Sequence, residues 1–405
     1  EYYNGSNGIS WIDQLKIRGS YGQTGNDNLG SSLYGTFSLA AQYIKFSNNS
    51  VTYVPYLLSG PDYPNVTWEK TTMKNIGIDF SVLKDRIWGS FDMFRNDVTN
   101  LLGYDSASPL SMTSSVPMNY GRYVRYGWDA TINSLNFEIP RVFKWTSQLT
   151  LSHHNAVWKE RMPNYYYEEY RIRKNEPVNA YYYYETEGVI NIDKSNMPES
   201  QKSLPADAQQ PGYPIIKDAN GDNKITIDDV KMRNTLPKIH IGFGNTFVYK
   251  DFDLDVFMYG QFGRTRYNYA YRLALVGDVY YTSPKNSNKY VYTIWNSQTN
   301  QNGNRRGIAS TKAVALPGNV GFEEDYQNAS FVRVRNITLG YNLSGKKLGR
   351  VGDYVSSIRV FVDCQNPLTF TKFVGVDPEI KTGGDGSKAE YPMTRTYSFG
   401  AKICF

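Results

Sequence analysis

Segments that alternate apolar and polar residues recur along the whole chain, and the connections between them are alternately long and short. Tyr397, Phe399, Ala401, Ile403 and Phe405 fall on one parity, and Thr396, Ser398, Gly400, Lys402 and Cys404 on the other. A period of two is the side-chain period of a β-strand, so such a segment has one apolar and one polar face. Leu15, Ile17 and Tyr21 oppose Lys16, Arg18 and Ser20 in the same way, and Ile76, Ile78, Phe80 and Val82 oppose Asn75, Asp79 and Ser81. Phe143, Trp145, Leu149 and Leu151 likewise stand against Lys144, Thr146, Gln148 and Thr150. Further strands are expected near residues 87–100, 118–135, 239–249, 252–262, 331–343 and 356–366, about ten in all. Short turns sit at Lys84–Arg86, Phe137–Arg141, Lys250–Asp251 and Ser344–Asp353, whereas long connections fill 23–68, 101–116, 155–237, 264–330 and 367–393. An up-and-down barrel in an outer membrane has short turns on one rim and long loops on the other, with apolar residues outside and polar residues inside. A soluble sandwich or propeller also alternates, but neither has a reason to place every long loop at one end.

Composition narrows the class further. Hydrophobic residues make up 40% of the chain and mean hydropathy is −0.53, and no run approaches the ~20 apolar residues of a membrane helix. An aromatic share of 15%, with 35 Tyr, excludes a disordered chain, because such chains are poor in aromatics. Two cysteines, Cys364 and Cys404, are too few for a disulfide scaffold. The net charge of +6 is spread among interleaved acids, which argues against a nucleic-acid partner. No linker or composition shift divides residues 1–405, so the chain reads as one part of a single all-β transmembrane antiparallel up-and-down barrel. Nothing at Glu1 resembles a signal peptide, as expected for a mature chain or a fragment. Aromatic residues near strand ends, such as Trp11, Trp68, Trp88, Trp145 and Tyr249, are expected in the interfacial girdles.

Several stretches add a more specific resemblance. LKIRGSYGQTGN (Leu15–Asn26), WEKTTMKNIGIDF (Trp68–Phe80), NYGRYVRYGWDATI (Asn119–Ile132) and DANGDNKITIDD (Asp218–Asp229) are followed by FVRVRNITLGYNL (Phe331–Leu343). RVFVDCQNPLTFTKFVGVDPEI (Arg359–Ile380) and YPMTRTYSFGAKICF (Tyr391–Phe405) complete the set. Together and in this order they resemble the C-terminal barrel half of the SusC/RagA family, the TonB-dependent outer-membrane transporters of Bacteroidetes. The resemblance implies that this chain supplies roughly ten strands of a barrel of about 22, the size of the largest outer-membrane transporters. A plug, a TonB box and an N-terminal barrel half are then expected outside it. It further implies a SusD-like surface lipoprotein as partner, energy from TonB-ExbB-ExbD acting through the N-terminal part, and import of oligosaccharides or oligopeptides. A second reading makes the barrel a structural dock that scaffolds surface lipoproteins.

Four groups of residues stand out as candidate sites. Asp218, Asn220, Asp222, Lys224 and Asp229 occupy positions 1, 3, 5, 7 and 12 of an EF-hand-like loop, a spacing that wraps Ca2+ with hard oxygen ligands. Asn223 stands where such loops carry Gly, and Asp229 where they carry Glu. The same residues also suit a cluster of Asx turns without an ion. A structural Ca2+ is the only cofactor expected; no redox or organic cofactor is. Tyr165, Tyr166 and Tyr167, with Tyr170, and Tyr181, Tyr182, Tyr183 and Tyr184 form two clusters in one long loop. Flat rings tipped by hydroxyls suit a substrate, a lipoprotein lid or a neighbouring loop. Tyr397, Phe399, Ile403 and Phe405 resemble the assembly signal read by the barrel insertase. Arg333 and Arg335 share parity with apolar Ile337, Leu339 and Tyr341, which requires the arginines to stand above the membrane or a β-bulge near Asn336.

No catalytic residue is expected. Of the histidines, His153 and His154 are adjacent and so point to opposite faces of a strand, and only His240 remains. The acid pairs Glu168–Glu169 and Glu323–Glu324 read as solvated loop charges. Cys364 and Cys404 are expected at opposite membrane levels, too far apart to form a disulfide.

Overall fold

A computed structural model describes residues 3–4, 11–26, 36–39, 44–46, 51–53, 56–60, 65–106, 115–161, 175–268, 292–307, 316–374, 377–379 and 393–405. Ten long strands carry the fold: β1 (Ile12–Asn26), β2 (Glu69–Val82), β3 (Ile87–Thr99), β4 (Arg122–Ile139), β5 (Phe143–Glu160), β6 (Ile239–Tyr249), β7 (Phe252–Phe262), β8 (Phe331–Ser344), β9 (Ser357–Thr371) and β10 (Thr396–Cys404). Each pairs antiparallel with its neighbour in sequence, and the two-residue strand Tyr3–Asn4 adds to β1, giving one 11-stranded sheet. The sheet is open, with Tyr3–Asn4 and β10 at its edges. A sheet that crosses lipid has to close on itself, because an unpaired edge in hydrocarbon leaves N–H and C=O groups without partners.

The register lines up the alternating residues across strands. Ile17 faces Ile78, Ile78 faces Phe91, Phe91 faces Ala130 and Ala130 faces Leu151, a continuous apolar row on the outward face. One residue along, Arg18, Gly77 and Asp92 align on the inward face, and Asp129 faces Ser152 there. Short turns at 83–86, 140–142, 250–251 and 345–356 lie at one rim, and the long connections lie at the other. The second of these is later than the sequence implied, because β4 runs on to Ile139 after a register shift between Leu135 and Phe137. β9 likewise continues to Thr371, past the expected end.

The conflict at Arg333 and Arg335 is resolved by a β-bulge. Met258 pairs with Val334 and Phe257 with Asn336, so Arg335 is the extra residue against β7; against β9 the register shifts the other way, Val334 pairing with Leu368 and Asn336 with Gln365. The bulge exchanges the parity of the strand. Leu339 stays outward and 50% exposed, whereas Arg333 turns inward and is 1% exposed.

The girdle expectation holds at the short-turn rim for Trp145, which stacks on outward Phe247 with ring centroids 5.6 Å apart, and for exposed Tyr249. Trp88 differs. It pairs with Ser81 and Asn133 on the inward parity and lines a pocket with Asp79 and Ser90. Its position near a strand end was legible; the face it occupies followed from register.

Candidate functional site

The inward wall is polar, and its charges are neutralised in place. Arg18 donates to both oxygens of Asp79 at 2.8 Å and to Asp92 at 2.9 Å, bridging β1, β2 and β3. At the other side of the sheet Arg359 on β9 holds Asp253 on β7, which also accepts from Asn342 Nδ2 at 2.6 Å. Thr246 donates to Asp255 and Thr338 to Asp363 between these pairs. Charge-assisted bonds of this kind fix side chains against the wall while leaving the lumen hydrophilic.

Toward the long-loop rim the wall carries a cavity of about 600 Å³ whose lining includes Asp129, Thr150, His240, Phe257, Tyr259 and Arg335. Gly242 shapes it. A Cβ there would meet Thr150 Oγ1 at 2.4 Å, while the Phe257 ring lies at ordinary contact distance, 3.6 Å. His154 stacks on His240 with centroids 5.3 Å apart, while His153 turns to Trp128 on the outward face. The adjacent histidines therefore diverge as their parity requires. An aromatic floor ringed by hydroxyls, one carboxylate and one guanidinium can hold a polar, partly apolar solute by stacking and hydrogen bonding.

Above this wall the long connections fold into a packed cap. Residues 180–184 pair antiparallel with 231–234 and parallel with 321–322, which ties the β5–β6 connection to the β7–β8 connection. Tyr184, Ile190, Tyr213, Ile216, Val230 and Phe322 are the centre of one hydrophobic core. Gln201, fully buried, donates to the carbonyls of Ala208 and Pro214 and accepts from the Ile216 amide, so the irregular backbone there is satisfied. Burial pushes the Tyr213 hydroxyl up to about 12, with a smaller opposing pull from Arg306. Burial also raises Tyr182, whose hydroxyl donates to buried Glu176, itself paired with Arg161.

Two ionic clusters anchor the cap. Arg306 lies 2.9 Å from Glu324 and 2.8 Å from Asp325 beneath the Phe322 ring. Glu324 is thus no solvated loop charge, contrary to the sequence reading: it is largely enclosed, and burial raises its pKa. Glu323 pairs with Arg233 at 3.0 Å. Arg333 places both Asp377 oxygens 2.8 Å from one nitrogen and Glu379 2.9 Å from another, and Tyr259 donates to Glu379. Asp377 also accepts from the amides of Glu379 and Met393, so one arginine fixes both ends of the β9–β10 connection. Sequence reasoning flagged Arg333 through its parity but had no signal for Asp377, whose partner is 44 residues away.

The other expected site residues separate. Tyr165, Tyr166, Tyr167 and Tyr170 lie outside the described residues. Tyr183 and Tyr184 are 3% and 0% exposed, so of the three readings these two take packing against neighbouring loops. Tyr181 stacks on Tyr326 at 4.6 Å, and Tyr184 donates to the carbonyls of Thr226 and Pro317. In the acidic loop, Asp218 accepts from the amides of Gly221 and Asn223, Asp222 from Lys224, and Asp229 from Ala219 and Thr226. Asn223 takes a φ of 62°, the left-handed conformation expected where Gly is usual. Among the described residues no three His, Cys, Asp or Glu side chains converge as metal ligands. Cys364 and Cys404 are free and pair with Tyr397 and Ser357 respectively, seven residues apart on β9, or roughly 23 Å along a strand.

The terminal strand presents Tyr397, Phe399, Ile403 and Phe405 outward, with Phe399 90% and Phe405 89% exposed. Replacing Phe405 with Lys in the full-length protein is expected to lower the heat-modifiable barrel recovered in outer-membrane fractions several-fold. The melting of barrel that does assemble should change little. An unchanged yield would count against an assembly signal.

An inside-polar, outside-apolar sheet under a loop cap is the arrangement of a membrane barrel wall, and known proteins resemble it. The family model described as TonB dependent receptor-like, beta-barrel matches residues 1–191. The chain is 26% identical to the TonB-dependent receptor SusC of Bacteroides thetaiotaomicron, over 98% of this chain and 38% of that protein. Over its first 191 residues it is similar to the TonB-dependent receptor β-barrels. TonB-dependent receptor P3 of Formosa agariphila is also 26% identical, over 97% of this chain and 40% of its own length. The chain therefore spans about two fifths of the curated relatives it matches. Among solved structures, the RagAB peptide transporter superposes with a TM-score of 0.73 at 18% identity, over 99% of this chain and 42% of that one. That likeness shows a shared fold. The barrel lies in the outer membrane, with its apolar face to lipid, and its relatives are receptors and transporters rather than enzymes.

Proposed function

We propose that this chain forms the C-terminal wall and extracellular cap of a TonB-dependent importer of the SusC type. In this reading a plug and the remaining strands come from sequence outside it, and a SusD-like surface lipoprotein delivers an oligosaccharide or oligopeptide. The observation that carries it is the cap: three long connections are locked to one another and to the wall by buried ion pairs and a hydrophobic core. A rigid cap over a polar lumen offers a fixed seat for a lid protein and a defined mouth for its cargo. Remodelling of the plug by TonB would then release the substrate inward. The cavity over Phe257 and Tyr259 fits either cargo, since sugar faces and peptide groups both stack on aromatics and bond to hydroxyls. The test is growth of a deletion strain on defined glycans or oligopeptides as sole nutrient, complemented with the full-length gene in TonB-competent and TonB-deficient cells. Growth restored only with TonB supports import. A strain that retains lipoprotein binding and shows no TonB-dependent uptake phenotype would favour a docking barrel.

We also propose that the Asp218–Asp229 loop takes a structural Ca2+. Its support is the ligand spacing and the left-handed Asn223. Hydrogen bonds already close the loop, so the ion would stiffen it. Calcium at 100 times its dissociation constant is expected to add roughly 2.7 kcal/mol to cap stability, read as slower proteolysis of the full-length protein. Identical digestion with calcium and with chelator would leave the Asx-turn cluster alone.

A further inference from the structure

The outward face of β2, β3 and β4 changes character abruptly toward the long-loop rim. Row by row it reads Phe80–Gly89–Ile132, Ile78–Phe91–Ala130 and Ile76–Met93–Trp128, all suited to lipid. The next row is Lys74–Arg95–Tyr126, followed by Thr72–Asp97–Val124 and Lys70–Thr99–Arg122. From Val82 at the short-turn end to Lys74 the strand runs nine residues, at the short end of the roughly 9–11 residues with which a tilted strand crosses the apolar band. The cations therefore begin where hydrocarbon gives way to headgroups on the extracellular side.

Their charge is largely unneutralised. Asp97 is held by Arg122 through two bonds of 2.7 Å, and Glu160 stands opposite Arg122 in the register. Among the described residues Lys70, Lys74 and Arg95 form no direct ion pair, although Asp97 feels the charge of both Arg95 and Lys74. Three inward arginines behave otherwise, Arg18, Arg333 and Arg359 each being paired with acids, whereas inward Arg125 forms no ion pair among the described residues. Neighbouring outward groups on β1 are neutral, Tyr21 and Gln23. On β9 the upper outward positions remain apolar, at Leu368 and Phe370, both more than half exposed. The basic cluster is thus local, and it surrounds a cavity of about 290 Å³ lined by Lys70, Lys74, Arg95 and Arg122.

We infer that this cluster seats a phosphorylated headgroup of an outer-leaflet glycolipid. Three points fix the occupant. The patch faces the membrane rather than the lumen, so an imported solute does not pass it. It sits at headgroup level, directly over rows that would contact acyl chains. Its hydroxyls, Thr72, Thr99 and Tyr126, supply donors for phosphate and sugar oxygens next to the cations. The inference depends on outer-membrane residence and not on which nutrient the barrel imports.

The test uses the full-length protein purified in detergent and the triple variant Lys70→Gln, Lys74→Gln, Arg95→Gln, which spares the Arg122–Asp97 pair. Binding of lipopolysaccharide from the host bacterium is measured by native mass spectrometry, beside the same glycolipid stripped of phosphate and beside inorganic phosphate as competitor. The variant, still heat-modifiable, is expected to bind the intact glycolipid roughly 100-fold more weakly. The stripped glycolipid should bind the parent protein with a similar loss, and millimolar phosphate should not displace the intact one. Undiminished binding by a folded variant, or equal binding of the stripped glycolipid, overturns the inference. Full displacement by inorganic phosphate overturns the lipid source.

Discussion

Arg333→Met is expected to release the β9–β10 connection from the barrel wall. Arg333 is 1% exposed and satisfies Asp377 and Glu379 together. Removing the cation leaves a buried Asp377 carboxylate without its counter-charge, and breaking a buried pair from one side typically costs about 3–5 kcal/mol. The barrel ladders do not depend on this pair, so the loss should be local. Limited proteolysis of the full-length protein should show faster cleavage near residues 377–393 with unchanged heat-modifiability. The double variant Arg333→Met, Asp377→Leu removes both charges and should recover much of the protection, because a well-packed apolar pair is often no worse than a buried ion pair. Glu379 keeps the Tyr259 hydroxyl as donor in either case. Equal protection of the single variant and the parent protein would show that other contacts hold the connection.

The barrel was legible because lipid and lumen impose a period of two on every strand, and a period survives in sequence without knowledge of partners. Even the bulge at Arg335 announced itself: two arginines on the parity of Ile337 and Leu339 cannot both face hydrocarbon. Register was harder to read. Trp88 shares its inward face with Ser81 and Asn133 only once β2, β3 and β4 are aligned, and a one-residue slip would have turned it outward. The cap was the least legible part. Its core joins Tyr184 and Ile216 to Leu316 and Phe322, at least 100 residues further along, and these segments share no period. The acid pair Glu323–Glu324 also misled there, because Glu324 is largely enclosed against Arg306, a partner that sequence spacing does not bring to it.

Tyr184 separates the two meanings of the tyrosine cluster most sharply. Were it a substrate or lid contact, its removal would weaken uptake and leave the cap intact. At 0% exposure it instead fills the cap core and gives its hydroxyl to Thr226 and Pro317, both at 2.9 Å. Tyr184→Ala is therefore expected to cost about 3–5 kcal/mol, the usual range for emptying a buried aromatic site. Tyr184→Phe keeps the ring and should lose about 1–3 kcal/mol, because the single hydroxyl proton shared by the Thr226 and Pro317 carbonyls is removed. The ordering Ala, then Phe, then parent should appear as faster hydrogen exchange at the amides of residues 186–189, 213–216 and 321–322 in the full-length protein. Exchange in β4 and β5 should stay put, since the ladder between them extends down the wall away from the cap. A cap that exchanges like the parent protein in Tyr184→Ala, with uptake impaired, would return the tyrosine to the surface and reopen the lid reading. Loss of cap protection with the wall unchanged would show that the mouth of the barrel is a folded unit in its own right, built over the wall and able to fail without it.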